Sequence, residues 1–216
     1  MKIIAENISK TIKNKIILDD INLELENGRI YGFVGRNGCG KTMLFRALSG
    51  LMHIDSGKIT VDDKVLHKDF NVLENLGLII ENAGLYNEFS GYRNLKLLAD
   101  INKKITDAEI RKALSDVGLD PNDKRVVRKY SLGMKQRLII AQAIMEKPDI
   151  IMLDEPTNAL DESGVKLIRD IILREKDRGA LVLIASHNKE DIEILADQVF
   201  YMDNGKIVST EGKRYE

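Results

Sequence analysis

One stretch narrows the choice of fold more than any other: Gly35-Arg36-Asn37-Gly38-Cys39-Gly40-Lys41-Thr42, a G-x-x-x-x-G-K-T run. Its glycines let the backbone curl until successive N–H groups converge on phosphate oxygens. The helix that follows aims its positive N-terminus at the same anion. Such a loop needs a strand feeding it and a helix leaving it, and the sequence supplies both. Arg29–Val34 (RIYGFV) reads as a strand, and Lys41–Leu48 spaces its apolar residues as a helix does. Lys41 is then a mobile cation for β- and γ-phosphates, and the Thr42 hydroxyl is placed for Mg²⁺.

The remaining chain supports the layout this loop demands. Lys2–Ile8, Ile16–Leu18 and Ile21–Leu25 read as short strands separated by Asn, Asp and Gly. From about Gly91 to Glu146 apolar residues recur at three- and four-residue steps, through Leu95, Leu98, Ile110, Leu114, Leu138 and Ala141. Strand and helix then alternate: Ile150–Leu153, Gly164–Arg174, Leu181–Ser186, Asn188–Leu195 and Val199–Met202, with a hairpin turn at Asp203-Asn204-Gly205-Lys206. Alternation of this kind predicts an α/β fold with a mainly parallel, doubly wound sheet, preceded by antiparallel strands and carrying an inserted helical subdomain. No low-complexity stretch or Pro/Gly-rich linker divides it. We expect one domain over 1–216, with 1–81 and 147–216 as its core and about 82–146 as the helical insert.

A second chemical signal follows the strand Ile150-Ile151-Met152-Leu153, which ends in Asp154-Glu155. Open α/β sheets bind ligands at the C-terminal ends of their strands. An acidic pair there is also a common helix cap. Downstream of a phosphate loop, Asp154 suits Mg²⁺ and Glu155 suits polarising an attacking water as general base.

Composition removes some alternatives. Lys and Arg number 33 against 34 Asp and Glu, a formal charge of −1, without the basicity of a protein that wraps nucleic acid. The one cysteine, Cys39, cannot form an intramolecular disulfide, so a reducing compartment is expected. Inside the phosphate loop it is either a reactive thiolate or an inert buried hydrophobe. No apolar run reaches the roughly 18–20 residues that cross a bilayer.

Asp149–Asp161 (DIIMLDEPTNALD) closely resembles the Walker B and D-loop segment of ATP-binding cassette (ABC) ATPases. Tyr130–Arg137 (YSLGMKQR) resembles their signature, in the variant of bacterial antibiotic and bacteriocin (lantibiotic, bacitracin) export or immunity ATPases, and Ala185-Ser186-His187 resembles their switch-histidine segment. The matches fall in the family's order over nearly the whole chain. The resemblance implies an ATPase using ATP and Mg²⁺, working as a head-to-tail homodimer. It would be peripheral on the cytoplasmic face of the membrane and would serve an integral-membrane permease. It implies that Glu155, His187 and Lys41 are catalytic, and that Gly35 through Met43 cradle the nucleotide. Ser131 and Gly133 would meet the γ-phosphate of the opposite cassette, and Asp161 would couple the two sites. The implied metal ligands are Thr42, Asp154 and Glu81, the last standing where the family has glutamine. Other departures are Leu132 for the first of two signature glycines, Met43 for a second hydroxyl, and Ile12 for the aromatic that stacks on adenine. A soluble ABC-type ATPase acting on nucleic acid or the ribosome is the alternative; its relatives carry a long coiled coil or two cassettes per chain.

Overall fold

Strands with unbroken apolar runs and strands with alternating ones fold differently here, and the difference builds two sheets. The structure is a computed structural model describing residues 1–80 and 84–212. Its first half runs β1 (Lys2–Ile12), β2 (Lys15–Glu26), β3 (Ile30–Val34), α1 (Lys41–Leu48), β4 (Ser56–Val61), β5 (Lys64–Val65) and β6 (Leu76–Ile79). Three helices follow, α2 (Gly91–Asn102), α3 (Asp107–Asp116) and α4 (Leu132–Ile144), with a 3-10 turn at Val127–Lys129. The chain then runs β7 (Ile150–Asp154), α5 (Glu162–Asp177), β8 (Leu181–Ala185), α6 (Lys189–Leu195), β9 (Gln198–Asp203) and β10 (Lys206–Gly212).

One sheet is antiparallel, in the order β2-β1-β4-β5; the other runs β10-β9-β3-β8-β7-β6 and is parallel except for β10. Side chains of a strand alternate between faces, so a strand apolar throughout must be covered on both. In β7, Ile150 and Met152 enter one core while Ile151 and Leu153 enter the other; β8 divides Leu183 from Val182 and Ile184 in the same way. The first core holds α1 between the two sheets, with Phe33 and Phe45 edge to face at 5.5 Å. The second receives Leu95 of α2, Ile110 of α3, Leu138 of α4, Ile168 of α5 and Ile192 of α6.

The two expected strands Ile16–Leu18 and Ile21–Leu25 are a single strand, β2. Asp19-Asp20 does not turn the chain. Asp20 takes φ +52° opposite Asn7 at φ +51°, and the Asn7 amide donates to the Asp20 carboxylate at 2.9 Å. Turn-type side chains thus make a bulge within a continuous ladder. The 203–206 hairpin forms as expected, with Asn204 at φ +46° and Gly205 at φ +80°. Its turn is wedged against the phosphate loop: Gly205 N–H donates to Cys39 O and Asp19 N–H to Gly205 O, both at 2.9 Å. A Cβ at Gly205 would stand 2.7 Å from the Ile17 carbonyl oxygen.

Candidate functional site

The loop from Gly35 to Gly40 links β3 to α1, so its geometry follows from a buried strand ending against a buried helix. Gly38 (φ +80°) and Gly40 (φ +113°) take left-handed conformations that side chains other than glycine's disfavour. At Gly40 a Cβ would also approach the Ile17 carbonyl oxygen to 2.8 Å. Lys41 is the first residue of α1 and is buried. Its ammonium folds back into the loop, donating to Gly35 O at 2.6 Å and Arg36 O at 3.4 Å.

Beside the loop, β7 delivers its acidic pair. The Thr42 hydroxyl donates to Asp154 Oδ2 at 2.5 Å, which brings residues 112 apart in sequence into contact. Glu155 leaves the strand at φ +52°, with its N–H on Ala185 O at 2.8 Å. Its carboxylate faces the end of β8. His187 N–H donates to Oε1 at 3.1 Å, His187 Nδ1 lies 2.8 Å from Oε2, and the buried Ser186 hydroxyl reaches Oε2 at 3.4 Å. Gly38, Lys41, Thr42, Met43, Asp154 and Glu155 line a cleft of about 660 Å³, while Ser186 and His187 stand behind Glu155, outside that lining.

Among hard oxygen donors, a hydroxyl and a carboxylate in contact suit Mg²⁺, which binds few protein ligands and keeps its remaining positions for water and phosphate. No cluster of three or more His, Cys, Asp or Glu occurs among the described residues. Glu81, the third expected ligand, lies outside the described residues.

The expected residues do not all converge. Ser131 caps α4, its hydroxyl accepting from Met134 N–H at 3.2 Å, while Leu132 beside it is 72% exposed. Ser131 and Gly133 are not among the residues lining the cleft. Gly133 is needed for a close approach, since a Cβ there would come within 3.0 Å of the Ala159 carbonyl oxygen. Asp161 caps α5. The Gly164 N–H and then the Ser163 hydroxyl hold its carboxyl below the ordinary carboxylate range, with Arg137 adding a contact at 3.3 Å.

Two expectations concern the loop and its edge. Cys39 is not an accessible thiol: its side chain is 5% exposed and packs in the core between the sheets, so only its backbone belongs to the loop's polar surface. Ile12 does not line the cleft; Lys15 and Ile17 of β2 do. Ile12 pairs directly with the cleft-lining Lys15 across the β1–β2 hairpin, beside that edge of the cleft. Neither Tyr31, buried with its hydroxyl accepting from Glu26 N–H at 2.9 Å, nor Tyr86, 58% exposed against Phe89, lines the cleft.

Sequence reasoning missed Gln136. From α4 its amide donates to the carbonyls of Glu155 at 3.2 Å and Pro156 at 3.0 Å, fixing the peptide after the strained residue. Its position within the quoted YSLGMKQR segment was the available signal; nothing in the residue itself announced a partner 19 residues away.

A family profile described as ABC transporter matches residues 18–158. The chain is 50% identical over 210 residues to YybJ of Bacillus subtilis (strain 168), an uncharacterized ABC transporter ATP-binding protein, covering 97% of this chain and 96% of YybJ. It is 36% identical over 203 residues to the lantibiotic transport ATP-binding protein SrtF of Streptococcus pyogenes, covering 94% of this chain and 87% of SrtF. The dimeric structure of the bacterial ABC transporter cassette MJ0796 superimposes with a TM-score of 0.87 at 21% identity, over 99% of this chain and 100% of that one. The last likeness speaks for the fold; the first three carry the lineage. This chain belongs to the ABC transporter family.

Proposed function

We propose that the chain is the ATP-hydrolysing subunit of a membrane exporter. It would bind Mg-ATP in the 660 Å³ cleft, pair head to tail with a second copy, and act at the cytoplasmic face on an integral-membrane permease. The observation that carries this reading is the contact of Thr42 with Asp154 at the mouth of the loop, with Glu155 one residue farther along. The resemblance to the lantibiotic transporter subunit supports export of a small molecule or peptide. No helix among the described residues is long and apolar enough to cross a membrane; the permease is inferred from the family resemblance.

In this reading the loop N–H groups and the α1 N-terminus hold the phosphates. Lys41 leaves the Gly35 carbonyl for the β- and γ-phosphate oxygens. Thr42 and Asp154 would hold Mg²⁺, which would supply charge neutralisation at the phosphates. Glu155 accepts a proton from the attacking water as its oxygen bonds to the γ-phosphorus, and the bond to the β-bridging oxygen breaks to give ADP and phosphate. His187, paired with the Glu155 carboxylate at 2.8 Å, would contact the γ-phosphate, as the family resemblance implies. Ser131 and the N–H groups opening α4 complete the site of the opposite copy, which accounts for their standing outside the cleft of their own chain.

Glu155→Gln should bind ATP normally and lose about a hundredfold or more in hydrolysis. It should also accumulate as a dimer on size exclusion with Mg-ATP. Phosphate release read alongside the elution profile decides this, and near-normal turnover overturns Glu155 as the base.

A further inference from the structure

Asp191 is fully buried, at 0% exposure, and the reaction just described makes no use of it. Its two oxygens go to two different elements. Oδ1 accepts from Arg169 of α5, at 2.8 Å from Nε and 2.6 Å from Nη2. Oδ2 accepts the Thr157 hydroxyl. Thr157 stands two residues after Glu155, and Asp191, on α6, stands four residues after His187. One buried carboxylate therefore joins the segment that carries Glu155 to the segment that carries His187. Arg169 anchors it from a third element and also reaches Glu190 at 3.2 Å.

Burying a carboxylate is costly, and apolar residues of like volume generally pack such a junction at least as stably. Hydrogen bonds differ from apolar packing in having direction. With each oxygen committed to a separate partner, Asp191 fixes the separation and orientation of the two segments. None of Thr157, Asp191 and Arg169 lines the nucleotide cleft.

We propose that Arg169, Asp191 and Thr157 form a positioning relay that sets the contact between Glu155 and His187, and so governs turnover without touching nucleotide. The inference rests on the reading of Glu155 as the general base. The geometry concerned is the 2.8 Å pairing of His187 Nδ1 with Glu155.

Two readouts separate the relay from the base assignment. The first is kcat and KM for ATP in wild type, Thr157→Val, Thr157→Ser, Asp191→Asn and Glu155→Gln. The second is the ring ¹⁵N resonance of His187 in nucleotide-free protein, assigned against His187→Gln; the chain has only 3 histidines. Thr157→Val and Asp191→Asn should each lower kcat by about ten- to a hundredfold, as displaced catalytic groups do. KM should stay within about threefold, because nothing that binds nucleotide has moved. Both variants should shift the His187 resonance toward its position in Glu155→Gln, and Thr157→Ser should restore both readouts. Folded variants with wild-type kcat and resonance overturn the relay. So does a loss that appears in KM alone, or one that Thr157→Ser fails to restore. If a single variant does not fold, Arg169→Met combined with Asp191→Leu removes both charges together, and the same two readouts apply. Wild-type turnover in Glu155→Gln overturns the base assignment instead, and the His187 resonance then judges the relay alone.

Discussion

Glu155 combines two features that seldom meet in one residue: a left-handed backbone without glycine's freedom, and a carboxylate committed to three donors. Such a conformation costs of order 1–3 kcal/mol and persists only where its surroundings enforce it. Here Ala185 O takes its N–H and the Gln136 amide takes its carbonyl. The strain turns the carboxylate out of the strand line toward His187. Base recognition is decided equally locally. Among the described residues no aromatic lines the cleft, and its β2 edge is Lys15 and Ile17. An aliphatic chain and an isoleucine offer apolar contact without a π-face, and the loop's phosphate contacts ignore the base. GTP should therefore be hydrolysed within about tenfold of ATP, a gap of about 1.4 kcal/mol. Ile17→Ala should raise KM for both nucleotides alike, while Ile12→Ala should leave both near wild type. Steady-state kinetics on the two nucleotides check this, and a preference for ATP above about a hundredfold, near 2.7 kcal/mol, overturns it.

At the scale of elements, the helical layer meets the parallel sheet through one missing side chain. Gly77 of β6 lies so close under α4 that a Cβ would stand 2.1 Å from the Ala143 carbonyl oxygen. Gly77→Ala should destabilise the protein by about 1–3 kcal/mol, the usual cost of overpacking, despite the backbone entropy alanine removes from the unfolded chain. A urea midpoint equal to or above wild type would contradict this. The same glycine explains why β6 went unread from sequence: a four-residue edge strand containing Gly gives little periodicity. Strand β4 is similarly quiet, since only Ile59 is buried along Ser56–Val61. The strands read closest to their true bounds were β3, β7 and β8, whose apolar runs need cover on both faces. The loop, Asp154 and Glu155 were legible because their chemistry is contiguous in sequence. Gln136, Lys15 and the Asp191 relay were not, because each acts on residues brought near only by the fold.

Across the whole molecule, several carboxylates sit below their ordinary range for local reasons: Asp55 through Lys10 and the Thr11 N–H, Asp107 through Lys96, Asp123 through Arg125, Glu109 through the Thr106 cap, and Asp161 through the Gly164 N–H. A folded pKa below the unfolded value, near 4 for these groups, contributes stability above that value and loses it as pH falls through the folded pKa. All five shift in the same direction. Thermal melts should be nearly flat from about pH 7 to 5 and fall below about pH 4, each exposed pair contributing little alone. A melting temperature unchanged down to about pH 3 would mean these contacts do not persist in solution. The wedged turn at Asn204-Gly205 bears on a different question, the order in which the protein is made. Cys39 O and Asp19 N–H both find their partners on Gly205, more than 160 residues later in the chain. A nascent chain emerging from the ribosome therefore carries its phosphate loop through more than 160 further residues without the turn that braces it. Nucleotide binding in its final form waits until the closing hairpin has cleared the exit tunnel.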